Sequence, residues 1–307
     1  MDILTDELDL KVYPKTVYTD IVNMPDPMLL GLTVHYYNFS DITLYMKLLI
    51  SGPSPWSSNA QELGSLGSGL NAYINIDNFT SRSKPSNATT EVLTVTLEAY
   101  NDSGYSNLMY TFSRSLTVVF IKSDDGTWTI SDENNFDNGT VQGWAVVNEG
   151  TYHNVGYPTI DVATDYVLST PYSCKMTQLY SYDGYNQDRG PVRARLYKSF
   201  TTPNKTNIYA ILNVRFSSTF SGSVWAYNKN LIFKKDTDTL VFLGKPYDTV
   251  HSHYISKDKW IRVVIPLPSN STFEIRISHE YLCSNITSGM QYYYGYLWLD
   301  DFKIISK

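Results

Sequence analysis

At 307 residues with a formal net charge of −6 and an isoelectric point near 5.3, the chain is long enough for two hydrophobic cores and lacks the concentrated basic face of a nucleic-acid binder. Charged residues make up only 18% and hydrophobic ones 42%, so solubility must rest on Ser, Thr, Asn and the 26 Tyr, an extracellular style of surface. No window reaches the roughly 20 apolar residues of a membrane span, and residues 1–20 are acidic rather than basic and then apolar, so no signal peptide is expected there.

Period-two alternation recurs in short runs between Gly, Pro, Asn, Asp and Ser clusters, and helical periodicity is almost absent, which predicts an all-β chain. In the first half, strands are expected at 29–39, 42–50, 69–76, 91–101 and 115–122. Another is expected at 127–130, after the Asp-Gly turn of SDDG (123–126), which tolerates positive φ and suits a tight hairpin. The stretch PSPWSSNAQELGSLGSG (53–69) reads as a long loop. Strands of this length and spacing, with no helix to cross over, fit an immunoglobulin- or fibronectin-type sandwich. The polar run SDENN after Ile130 closes that domain, residues 1–130, and FDNGTVQGW opens a second, residues 131–307.

In the second half VRARLYKSF (192–200) sets Val192, Ala194 and Leu196 against Arg193, Arg195 and Tyr197. IYAILNVRF (208–216) sets Ile208, Ala210, Leu212, Val214 and Phe216 against Tyr209, Ile211, Asn213 and Arg215. In SVWAYNKN (223–230) Val224 and Ala226 oppose Trp225 and Tyr227, and FEIRISHEYL (273–282) sets Phe273, Ile275 and Ile277 against Glu274, Arg276 and Ser278. One face of each strand is core and the other is polar with aromatics. The chain finishes on YGYLWLDDFKIISK, where Leu297 and Leu299 share one face and Phe302 and Ile304 share one face. The odd step between the pairs predicts a bulge around Asp300 and Asp301.

NNFDNGTVQGW near residue 134, PYSCKM (171–176), DKWIRVVIPL (258–267) and the closing LDDF together resemble, in that order, the jelly-roll carbohydrate-binding modules of secreted glycoside hydrolases. The resemblance covers roughly residues 131–307 and says nothing of residues 1–130. It implies a jelly-roll, glycan binding without catalysis, and core-packing roles for Trp144 and Trp260. It also implies a structural calcium between the opening segment and the final strand, with Asp300 matching the aspartate of the last motif and Glu133 or Asp137 near the opening partner. This chain departs from the pattern in carrying Asn134 and Asn135 before Phe136. No other cofactor is expected.

A sugar ring presents an apolar C–H face and a rim of hydroxyls, so its site needs an exposed aromatic plane flanked by hydrogen-bonding groups. Trp225 and Tyr227 with Arg193, Arg195, Tyr197, Asn213 and Arg215 supply that combination, provided their strands are neighbours in one concave sheet. The competing reading covers Trp225 with a loop or the first domain. A second aromatic set, Tyr292, Tyr293, Tyr294 and Tyr296 with Tyr180, Tyr182 and Tyr185, is expected in loops at one end of the sandwich. Trp128 is assigned to a hairpin of the first domain.

Eight Asn-x-Ser/Thr sequons, at Asn38, Asn78, Asn87, Asn101, Asn138, Asn204, Asn270 and Asn285, read either as glycosylation sites of a surface protein or as chance in an Asn/Ser/Thr-rich chain. Cys174 and Cys283 read either as a disulfide or as two buried thiols. Catalytic signatures are missing: there is no Gly-x-Ser-x-Gly, no Gly-rich phosphate loop and no cysteine with a partner base, and the pair His251 and His253 has no third metal ligand at a telling spacing. The chain is therefore expected to be a non-catalytic extracellular, cell-surface or virion-surface protein that binds glycans through its second domain, with the first as spacer or docking module. The competing expectation is a structural surface component, a virion spike, decoration or envelope protein, whose partners are copies of itself or other envelope proteins.

Overall fold

The period-two pattern becomes strand along most of the chain, and among the described residues the only helical turn is the short 3-10 segment Ile21–Asn23. The computed structural model describes residues 8–13, 15–24, 26–148, 158–169, 171–182, 191–216, 224–235, 238–244, 260–283 and 291–307. The chain divides into two units, Met1–Ser123 and Asp124–Lys307, each a β-sandwich around its own apolar interior.

The first unit, immunoglobulin-like, contains β1 (Leu8–Tyr13), β2 (Thr16–Asp20), β3 (Met28–Asn38), β4 (Leu44–Ser51), β5 (Asn59–Leu66), β6 (Asn71–Arg82), β7 (Thr89–Tyr100) and β8 (Leu108–Ile121). One sheet runs β1-β3-β6 and the other β2-β8-β7-β4-β5, with β2 parallel to β8. Alternate residues of the facing strands, among them Leu10, Val34, Met46, Leu48, Val95, Leu97 and Val118, fill the space between. Each such side chain contributes roughly 1.5–3 kcal/mol by leaving water.

The stretch expected as a loop at 53–69 contains β5, which pairs with β4 at the sheet edge. Its side chains are largely exposed, so no apolar alternation announces it, and Gly64 at φ +81° takes up a register shift against β4. Trp56, from the same stretch, turns inward and is buried.

The sequon at Asn38 is structural. Its side chain is 0% exposed. Nδ2 donates to the carbonyls of Ile42, Leu66 and Gly67, and Oδ1 accepts from the Ser40 amide and hydroxyl. A glycan on Nδ2 has no room, so this position is withdrawn from the glycosylation set. Asn38→Ala is expected to cost about 2 kcal/mol through the orphaned carbonyls, read as a lower urea midpoint. Peptide mapping after expression in a glycosylating host is expected to find Asn38 unmodified in the folded protein.

The second unit contains β9 (Thr129–Asn134), β10 (Ala145–Asn148), β11 (Thr159–Ala163), β12 (Ser173–Tyr182), β13 (Pro191–Thr201), β14 (Ile208–Phe216), β15 (Val224–Lys235), β16 (Asp238–Gly244), β17 (Trp260–Leu267), β18 (Thr272–Cys283) and β19 (Gln291–Ser306). It is a jelly-roll sandwich of a five-stranded sheet, β10-β13-β18-β15-β16, and a six-stranded one, β11-β12-β19-β14-β17, with β9 also paired to β19. Phe136, Trp144, Met176, Leu196, Leu212, Ile275, Leu299 and Phe302 are buried between them.

Two expectations change here, and one open alternative closes in part. Residues 127–130 do not finish the first sandwich: β9 pairs antiparallel with β19, so the Asp-Gly turn, with Gly126 at φ +74°, closes no hairpin, and Trp128 packs on Tyr209 of the second unit. The physical reason is that a strand end takes whichever backbone edge is open, and alternation does not say which. Of the two readings of the cysteines, the buried free thiol holds for Cys174 on β12, and the side chain of Cys283 lies outside the described residues. Tyr180, Tyr182 and Tyr292 to Tyr294 belong to paired strands rather than to loops, with Tyr180 opposite Tyr293; Tyr185 lies outside the described residues. The bulge expected near Asp300 is present. Asp301 has φ +48°, and the shift carries the inward phase from Leu297 and Leu299 to Phe302 and Ile304 while leaving Asp300 on the outer face.

Candidate functional site

The residues expected to share one concave sheet are divided between two. Arg193, Arg195 and Tyr197 lie on β13 and Trp225 and Tyr227 on β15, with β18 between them in the five-stranded sheet. Asn213 and Arg215 lie on β14 of the opposite sheet, where β17 and β19 are its neighbours. The side chains of Arg193, Trp225 and Tyr227 lie outside the described residues. Arg195 and Arg276 flank Glu274, with Arg195 Nη1 at 3.7 Å and Arg276 hydrogen-bonded to it, while the Arg195 guanidinium lies 5.4 Å from the Tyr197 ring centroid. Among the described residues, that face presents an ion cluster of Arg195, Glu274 and Arg276. Asn213 is buried and does not present itself to a ligand.

The six-stranded sheet carries a different constellation on its outer face. Cys174 and Met176 of β12, Val214 of β14 and Leu297 and Leu299 of β19 point into the core, so the residues between them point out. Cross-strand register aligns Asp161, Lys175, Trp298, Arg215 and Trp260 in one row across β11, β12, β19, β14 and β17. Cations thus alternate with indoles. The Lys175 ammonium lies 5.2 Å from the Trp298 ring centroid and 4.9 Å from that of Tyr296, and the Arg215 guanidinium lies 5.9 Å from Trp298. Such contacts stabilise by about 0.5–2 kcal/mol each, depending on how dry they are.

Tyr166, in the segment between β11 and β12, packs edge-on against Trp298 at 4.7 Å and receives the Arg215 guanidinium at 4.0 Å from its ring centroid. Beside it, Asp165 accepts from the Trp298 indole N–H at 3.0 Å and from the Lys175 ammonium at 2.6 Å. Burial alone would raise the Asp165 carboxyl, but those bonds and the Lys175 charge outweigh it and hold the group below its ordinary value. Tyr166 remains 43% exposed, with Tyr296 and Trp260 half-buried. Trp260 therefore belongs to the outer row and not to the core, because the inward phase of β17 falls on Val263, Ile265 and Leu267.

Asp300 holds this segment in place. Its carboxylate is 0% exposed and accepts from the amides of Leu168 and Ser169, at 2.8 and 3.0 Å, and from the Ser169 hydroxyl at 2.9 Å. The described residues do not assemble the expected calcium ligands: protein donors occupy the Asp300 oxygens, Glu133 and Asp137 are exposed, and Asp137 accepts from the Asn135 side-chain amide. Among the described residues no three His, Cys, Asp or Glu side chains assemble as a metal site. The pair His251 and His253 lies outside the described residues. Sequence reasoning missed Tyr166, Asp165, Lys175 and Trp298. Trp298 and Lys175 are legible as the out-of-phase residues between core positions, whereas Tyr166 sits in a connection with no periodicity.

No protein-family model matches the chain, and no curated protein matches it. Among solved structures it is similar to a carbohydrate-binding module of the β-sandwich superfamily determined for its promiscuous specificity, at 12% identity and a TM-score of 0.36, covering 97% of each chain. It is also similar to the CBM22-1 xylan-binding domain of Xyn10C from Paenibacillus barcinonensis, at 16% identity and a TM-score of 0.33, over 58% of this chain and 96% of that one. A cleaved adhesin domain of Lys-gingipain from Porphyromonas gingivalis matches at 11% identity and a TM-score of 0.33, over 58% of this chain and all, 100%, of the other.

Proposed function

We propose that the second unit binds glycans on the outer face of its six-stranded sheet, as a non-catalytic module of an extracellular or surface protein. The observation that carries this reading is the in-register row of Lys175, Trp298, Arg215 and Trp260, capped by Tyr166. It combines aromatic planes with charged donors and one carboxylate acceptor on strands that hold them at fixed spacing. Sugar rings need that combination: an apolar face to stack and a rim of hydroxyls to hydrogen-bond. The exposed ring of Tyr166 is the stacking surface, and Asp165, Lys175 and Arg215 are the polar rim. Surface location is supported by five sequons whose asparagines are exposed, Asn87, Asn101, Asn138, Asn204 and Asn270.

A glycan array probed with the full chain, followed by titration calorimetry on the best binder, tests the site. Tyr166→Ala is expected to weaken binding about tenfold or more, the scale of one lost ring contact, with an unchanged melting profile because the ring is substantially exposed. Trp225→Ala, on the opposite sheet, is expected to bind as the wild type does. The reverse pattern would move the site to the five-stranded sheet, and an array blank for every glycan would sink the reading.

A further inference from the structure

Where β9 of the opening segment pairs with the final strand, a lysine reaches in from β13. On β13 the inward phase runs Leu196, Lys198, Phe200, and Lys198 sits in register with the fully buried Ile275 of β18. Lys198 therefore points between the sheets, with its side chain only 13% exposed. Its ammonium reaches across to β9 of the other sheet, donating to Asn134 Oδ1 at 2.7 Å and to Asp132 Oδ1 at 3.2 Å, with Asp132 Oδ2 at 3.1 Å. It also lies 5.7 Å from the ring centroid of Phe302, the residue of β19 in register with Asn134. The Asn134 oxygen is shared with the indole N–H of Trp144 at 3.0 Å, and its amide nitrogen donates to the Glu133 carbonyl at 2.6 Å.

We propose that the Lys198 ammonium is the resident cation of this sandwich, tying β13 to the opening strand β9 beside Phe302 of the final strand, and that the second unit folds without metal. A buried cation is tolerable only with oxygen ligands around it, and Asp132 with Asn134 supplies three. Asn134, which departs from the pattern of the resembling modules, fits this role: a neutral amide oxygen ligates an ammonium without adding a second negative charge. The same substitution weakens the site for a divalent ion, which favours carboxylates. The other half of the expected metal site is consumed as well, since Asp300 spends its oxygens on Leu168 and Ser169.

Thermal unfolding of the full chain decides the matter. In the wild type, excess EDTA and millimolar calcium are each expected to leave the melting temperature within about 1 °C, and equilibrium dialysis to leave no stoichiometric calcium on the chain. Lys198→Met, which keeps the methylene volume and removes the charge, is expected to lower the melting temperature by about 6 °C or more, because the Asp132 carboxylate loses its partner at the sandwich edge. Should that variant not yield soluble protein, Asp132→Asn keeps the shape and an oxygen ligand, and is expected to lower it by about 2 °C. Destabilisation of the wild type by EDTA, tight calcium binding, or wild-type melting in both variants overturns the proposal.

Discussion

Arg82→Met is expected to destabilise the first unit by about 3–5 kcal/mol, the scale for removing one partner of a buried ion pair. Arg82 on β6 and Glu91 on β7 belong to different sheets, and their side chains are only 7% and 13% exposed. The Arg82 guanidinium grips Glu91 with two donors, Nε at 2.7 Å and Nη2, and lies 4.7 Å from the Phe120 ring centroid. Glu91 Oε2 also accepts from the Trp56 indole at 2.6 Å, so this carboxylate ties the two sheets and the inturned Trp56 together. Burial alone would raise the Glu91 carboxyl, but the bonds from Arg82 and Trp56 and the Arg82 charge outweigh it and hold it below its ordinary value near 4.5. The unfolded chain then binds that proton more readily than the folded one. The pair's contribution is whole above the ordinary carboxylate range and is lost as pH falls through the depressed value. Urea unfolding at successive pH values checks both parts: Arg82→Met lowers the midpoint at neutral pH, and its difference from the wild type shrinks on acidification. A constant difference down to pH of about 3 would show that the charge pair does not carry the effect.

Much of the fold is legible in the residues because alternation specifies which face of a strand is buried. The strand at Ile208–Phe216 is found where its alternation puts it, and the misstep between Leu299 and Phe302 announces the bulge. What alternation does not encode is which strand lies beside which. Asn213 and Arg215 read as equivalents of Arg193 and Arg195, yet backbone pairing puts them on opposite sheets. Edge strands are illegible for a related reason: β5 is mostly exposed and reaches the core only through Leu63 and Leu66, too few positions to make an alternation. Lys198 marks the opposite failure. A charged residue in a core phase looks like noise in the pattern, and its reason appears only when β9 brings Asp132 and Asn134 to it from the other sheet. The row across the outer face could not be assembled from sequence, since its members come from five separate strands whose order is set by long-range pairing.

Asp300→Ala is expected to cost about 3 kcal/mol and to disorganise the binding face with it, because four donors, the amides of Leu168, Ser169 and Asp301 and the Ser169 hydroxyl, then lose their acceptor. Two of those donors are backbone amides of the segment that carries Asp165 and Tyr166, so the ring over Trp298 and the carboxylate on its indole depend on Asp300 at one remove. The indole N–H resonance of Trp298, assigned through Trp298→Phe, is the direct readout: it shifts in Asp300→Ala as the Asp165 bond is released. Asp300→Asn separates charge from shape, since one amide oxygen still accepts from the segment. Burial raises the Asp300 carboxyl above its ordinary value and the bonds from Ser169 and Leu168 only partly offset it. The folded chain therefore binds this proton more readily than the unfolded one, and the favourable contribution is present at low pH and lost as pH rises through the raised value. The wild type should gain stability relative to Asp300→Asn on acidification, the reverse of the trend at Glu91. The same variant should keep the Trp298 resonance near its wild-type position and retain Tyr166-dependent glycan binding. If Asp300→Ala leaves both the resonance and the affinity unchanged, the segment is held by Tyr166 and Asp165 themselves, and Asp300 acts on stability alone.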